Sequence, residues 1–112
     1  MSSLNPHAFA AGPAPVFAAL GDATRLSLLA KLSDGGPRSI SSLSAGAGLT
    51  RQAITKHLHV LEGAGLVRSL KVGRESQFAY RAEPIDEARA YLDRVSAQWD
   101  GALERLRAFV ED

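Results

Sequence analysis

Apolar positions recur at helical spacing in several stretches of this chain and alternate in one. A first short helix is expected at Val16–Leu20. Asp22 then stands where an N-cap belongs. Leu26, Leu28, Leu29, Ala30 and Leu32 follow it on one broad face. Asp34-Gly35-Gly36-Pro37 cannot continue a helix. A short helix is expected at about Ile40–Ala45, broken by Gly46-Ala47-Gly48. The next helix starts at Thr50, a capping residue type, and runs to Glu62, with Ile54, Leu58 and Leu61 inward.

The period changes after Gly63 and Gly65. Leu66–Val72 and Ser76–Ala82 read as two strands around a Gly73-Arg74-Glu75 turn. Leu66, Leu70 and Val72, with Phe78 and Tyr80, are expected to supply the hairpin's apolar face. Pro84 suits the first turn of a final helix over 84–110. Ile85, Ala88, Leu92, Val95, Trp99, Ala102, Leu106 and Phe109 step along it by three and four. The fold class is therefore mainly α with a small β-hairpin wing, in the order α-α-α-α-β-β-α, a winged helix-turn-helix. Residues 1–14, rich in Ala, Pro and Ser, are expected to form a partly disordered lead-in, and 15–112 the domain.

The helix Thr50–Glu62 has a divided surface. Its apolar trio faces in, and Thr50, Arg51, Gln52, Thr55, Lys56 and His59 are the candidate DNA contacts. Arg and Lys grip guanine or phosphate, Gln pairs with adenine, and Thr meets base edges or a thymine methyl. An isolated amphipathic helix with these residues would be an ordinary solvated one. Here a short helix and a Gly-containing turn precede it and a basic hairpin follows. His57 falls at the edge of the buried face and reads as a hydrogen-bonded brace. His57 and His59 diverge on the helix and make a poor metal pair. On the hairpin, Arg74 at the tip and Lys71 beside it are the candidate contacts to backbone or minor groove. Exposed hairpins also carry Lys and Arg for edge protection, so this signal is weaker.

Charge adds a direction. The net charge is only +1. Residues 1–82 hold nine Lys and Arg against four Asp and Glu, whereas 83–112 hold four against eight. One basic surface facing a polyanion and an acidic helix facing away would give that split. The final helix carries a longer apolar seam than so small a domain hides alone. Val16, Phe17, Leu92, Val95, Trp99, Leu106 and Phe109 are the candidate interface with a second copy.

Cysteine is absent, which removes disulfides and thiolate sites and fits a cytoplasmic setting. No apolar run approaches membrane-spanning length, and the start has no secretory pattern. No metal site or cofactor is expected. No nucleophile–base pair, phosphate loop or carboxylate dyad points to an enzyme. A winged-helix module that binds proteins rather than specific DNA is the alternative reading.

The motifs resemble the ArsR/SmtB family of winged-helix bacterial repressors over roughly residues 16–82. Ala19-Leu20-Gly21-Asp22-Ala23-Thr24-Arg25-Leu26 is similar to the family's opening signature. Thr55-Lys56-His57-Leu58-His59-Val60-Leu61 is similar to its recognition helix, Gly65-Leu66-Val67 to the wing entry and Gly73-Arg74 to the wing tip. The resemblance implies a homodimer, built from the first and last helices, that binds a palindromic double-stranded DNA operator and represses until an inducer weakens binding. The inducer is unknown. Metal-sensing members often carry Cys-Val-Cys where Ser39-Ile40-Ser41 stands here, and others use His on the last helix, where this chain has none. The resemblance is thus to metal-independent members.

Overall fold

The computed structural model describes residues 12–111. Most of the expected lead-in at 1–14 therefore lies outside the described residues. Helix α1 spans Ala14–Leu20. After it, Asp22 takes the N-cap of α2 (Ala23–Gly35), its carboxylate accepting the Arg25 backbone N–H at 3.0 Å. Such a cap satisfies one of the amides that a helix start leaves unpaired. Gly36 ends α2 at φ +78°, a backbone conformation that side-chain-bearing residues rarely adopt.

A two-residue strand, β1 (Arg38–Ser39), follows and leads into α3 (Ile40–Ser44). The strand was not expected. Thr50 caps α4 (Arg51–Gly63) through its hydroxyl, which accepts the Ala53 N–H at 3.1 Å. Strands β2 (Val67–Val72) and β3 (Glu75–Tyr80) form the wing, and α5 (Glu83–Glu111) closes the chain. The sheet order is β1-β3-β2, all antiparallel. Val72 pairs with Glu75, so the wing turn holds only Gly73 and Arg74. Gly73 has φ +64° and Arg74 does not have positive φ. That is the sign pattern of a type II′ hairpin turn, whose twist matches the flanking strands.

The core gathers Leu28, Leu29 and Leu32 of α2, Leu43 of α3, Ile54, Leu58 and Leu61 of α4, then Leu66, Val67, Phe78 and Ala88. Ile54, Leu58 and Leu61 are each 0% exposed, as their spacing predicts. Two expectations need correction. Leu26 and Ala30 are exposed, because the 3.6-residue turn puts them opposite the Leu28–Leu29–Leu32 stripe. The apolar face of the wing also has the other parity. Val67 lies opposite Tyr80 and Ser69 opposite Phe78, so Leu70 and Val72 share the outer face with Arg68. Directly opposed residues point to one side of a sheet, and a shift of one residue reverses that side. Leu66 is buried but precedes the strand, which is how the parity was misread.

Helix α5 is 29 residues, about 43 Å at ~1.5 Å per residue. It packs against α1, where Phe17 and Tyr91 meet with ring centroids 6.1 Å apart. Ala88 is its one buried residue. The radius of gyration is 18.6 Å, against about 13 Å for a compact chain of 100 residues. In the distal half of α5, Trp99, Leu103, Leu106, Phe109 and Val110 are exposed.

Candidate nucleic-acid interface

The inward trio of α4 fixes which side of the helix meets solvent. Gln52, Lys56 and His59 are exposed, and helical geometry places them together opposite Ile54 and Leu61. Arg51 is also exposed but lies toward one flank. Its guanidinium donates to the Ser41 hydroxyl at 2.8 Å, tying the start of α4 to α3. Thr55 is half-buried, and its hydroxyl donates to the Arg51 carbonyl at 2.8 Å. Thr50 is exposed and acts first as the cap.

The helix is seated by polar ties at its middle and at its C-terminal end. His57 Nδ1 lies 3.4 Å from Arg25 Nη1 and 3.8 Å from Asp22 Oδ2. Arg25 Nε donates to the Ala19 carbonyl at 2.7 Å and its Nη2 to the Ala18 carbonyl at 3.2 Å. One guanidinium therefore links the end of α1, the start of α2 and the middle of α4. His57 is a brace. The sequence reading did not find Arg25, because no local pattern announces that its acceptors are the last carbonyls of the preceding helix. The Arg25 backbone N–H, then the Arg25 and His57 charges, hold the Asp22 carboxyl below its ordinary 3.8. At the far end of α4, Ser69 of β2 donates to Glu62 at 3.0 Å and fixes wing to helix.

On the wing, Lys71 and Arg74 are exposed, and Arg74 stands on the side of the molecule where α4 begins. An open cleft of about 440 Å³ lies between the wing turn and α4, lined by Ser39, Ile40, Ser41, Arg51, Arg74, Glu75 and Ser76. β1 makes this cleft. By pairing Arg38 with Phe78 and Ser39 with Gln77 it brings the start of α3 against the wing. Ser39 and Ser41 thus sit beside the wing. Among the described residues no three His, Asp or Glu side chains gather where they could share a metal ion.

The expected partner surface divides. Val16 is 8% exposed and packs in the chain's own core, so it is removed from that surface. Phe17 is half-buried against Tyr91. Val95 is half-buried, whereas Leu92, Trp99, Leu106 and Phe109 are 52%, 64%, 58% and 80% exposed. Leu103 and Val110, not singled out from the sequence, join this exposed stripe.

A hairpin wing placed after a helix-turn-helix with a seated second helix, and joined by β1 in one sheet, defines a winged helix-turn-helix DNA-binding module. A helix-turn-helix domain family matches residues 20–69. The uncharacterized HTH-type transcriptional regulator YuzN of Bacillus subtilis (strain 168) is 40% identical over 76 residues, 62% of this chain and 83% of that protein. An ArsR-like transcriptional regulator from Rhodococcus sp. RHA1 superposes with a TM-score of 0.78 at 39% identity, covering 87% of this chain and 91% of that one. The homodimeric winged helix-turn-helix DNA-binding domain of a possible ArsR-family regulator from Mycobacterium bovis has a TM-score of 0.59 at 28% identity, covering 76% and 77%. The chain belongs to the ArsR family of helix-turn-helix transcriptional regulators. No described helix is long and apolar enough to cross a membrane.

Proposed function

We propose that this protein is a dimeric, sequence-specific repressor whose α4 enters the major groove of a palindromic operator. The observation that carries this is the exposed Gln52–Lys56–His59 face, held rigid by the fully buried Ile54, Leu58 and Leu61 behind it. A reading helix must keep its side chains fixed relative to the bases, and the Arg25–His57 tie supports that. Gln52 reads base edges, Lys56 and His59 meet bases or phosphate, and Thr50, Arg51 and Thr55 line the entering end. Lys71 and Arg74 meet the backbone or minor groove from the wing.

The dimer reading rests on α5. Leu92, Trp99, Leu103, Leu106, Phe109 and Val110 leave an apolar stripe that the chain's own described elements do not cover. A second copy laying the same stripe alongside would bury it. The similar domain described as homodimeric supports this. The test is duplex binding at fixed salt, comparing DNA from the gene's own promoter with a scrambled duplex of equal length. Tighter binding to the promoter duplex by ~10³-fold or more is expected. Equal affinities would contradict sequence-specific repression.

A further inference from the structure

The cleft between the wing and α4 joins residues from elements far apart in sequence. Arg51 comes from the first turn of α4, Ser41 from α3, and Arg74 and Ser76 from the wing turn and β3. Among the described residues neither Arg51 nor Arg74 forms an ion pair. Two guanidinium groups are thus gathered at one concavity with no carboxylate bound to either. Glu75 lines the same cleft and accepts from Gln77 Nε2 at 3.3 Å.

The hydroxyls complete a donor set. The Ser41 oxygen already accepts from Arg51, so its own proton is left to donate. The Ser39 oxygen accepts the Ser42 backbone N–H at 3.1 Å and is likewise left with a proton. A guanidinium has five N–H donors, and the Ser41 bond uses one of those on Arg51. Donors converging from several directions on one open space suit a tetrahedral oxyanion, whose oxygens accept from all sides.

We propose that this cleft is a single phosphate site, in which Arg51 and Arg74 together hold one phosphate of the duplex backbone, with the Ser41 and Ser76 hydroxyls donating beside them. The proposal rests on the duplex-binding reading above and deepens it. One shared phosphate ties the wing to the entering end of α4 and sets the register of both on the backbone. Ser41 is then a positioning residue, since it orients the Arg51 guanidinium. Glu75 opposes the phosphate charge and limits affinity.

The test is a double-mutant cycle in the full-length protein with Arg51→Ala, Arg74→Ala and the pair, all checked for unchanged circular dichroism. Binding to a random duplex and to the promoter duplex is measured across a salt series. Each neutralised phosphate contributes about 0.9 to the slope of log affinity against log salt. A shared phosphate predicts that the double variant loses ~0.9 in slope, one phosphate's worth, and that each single variant loses no more than that, because the remaining arginine still meets the same phosphate. A loss of ~1.8 in the double, with multiplied affinity losses, would assign the arginines to separate phosphates and overturn the proposal. An unchanged slope in the double variant would overturn it too.

A second arm separates duplex phosphate from a free oxyanion. Inorganic phosphate is titrated while the backbone amides of Ser41, Arg51 and Ser76 are followed by NMR. Saturable shifts in the wild type that vanish in Arg51→Ala support the site. Shifts accompanied by unchanged duplex binding in both arginine variants would give the cleft to a free anion and overturn the duplex assignment. Absence of any duplex binding at low salt would defeat the repressor reading instead, and the phosphate titration would still decide the cleft. Glu75→Gln is expected to tighten binding to all duplexes alike; weaker binding would contradict the role given to Glu75.

Discussion

Arg25 and His57 meet 3.4 Å apart across the junction of three helices. The same guanidinium donates to the Ala19 and Ala18 carbonyls at the end of α1, the second of which also accepts the Gly21 backbone N–H. Arg25→Ala leaves those carbonyls without this donor and releases the inner face of α4. A loss of about 1–2 kcal/mol is expected, less than a fully buried charged bond because the site is part-exposed. Urea unfolding checks it through a lower midpoint with unchanged slope. DNA affinity should fall as well, although Arg25 faces away from the reading surface. A stable variant with full affinity would remove the tie from the account.

Asp22 adds a pH dependence to the same junction. Its carboxyl is held below the ordinary value by the Arg25 backbone N–H first, then by the Arg25 and His57 charges. The folded state therefore binds fewer protons than the unfolded state in this range, and stability rises with pH there. This contribution is fully present above the ordinary carboxylate value of 3.8 and is lost as pH falls through the lower folded-state value. Asp22→Asn keeps a capping side chain but removes the charge. Wild type is expected to exceed Asp22→Asn in stability at pH 6–7, with the difference closing as pH falls below the ordinary carboxylate value of 3.8. Unfolding midpoints over a pH series check this. A difference that grows on acidification would show the opposite sign.

Gln52 and Leu58 separate reading from scaffolding within one helix. Gln52→Ala removes an exposed side chain and should leave stability nearly unchanged. It should narrow the gap between preferred and changed bases by ~1–3 kcal/mol at one position of each half-site. Binding to a panel of single-base variants measures that gap. Leu58 is 0% exposed, so Leu58→Ala should cost about 2–5 kcal/mol of stability.

Trp99 is 64% exposed on the distal half of α5. Trp99→Asp should leave the monomer's fold intact and shift sedimentation from two chains to one. An unchanged dimer mass would place the interface elsewhere.

The parts of the fold that were legible in the sequence are those set by neighbours along the chain. Asp22 and Thr50 cap helices through amides three residues away, so residue type and position sufficed. Ile54, Leu58 and Leu61 followed from one helix's period. The two-residue β1 was invisible because it exists only by pairing with residues 77 and 78. Without that pairing the cleft beside Ser39 and Ser41 could not be foreseen. The wing's parity failed at Leu66, which is buried outside the strand it was counted in. Val16 failed for another reason. An apolar residue on a short helix can serve its own core or a partner, and only burial distinguishes them. The candidate contacts on α4 were legible as a face, whereas the intramolecular bonds of Arg51 and Thr55 depended on coordinates.

In the proposed repressor, α4 reads bases as one of a symmetric pair. The most direct measurement is selection of bound duplexes from a random-sequence pool, followed by sequencing. Enrichment of an inverted repeat is expected, with half-site centres about 10 base pairs, or a multiple of that, apart. Enrichment of no sequence, or of a single unpaired half-site, would contradict it.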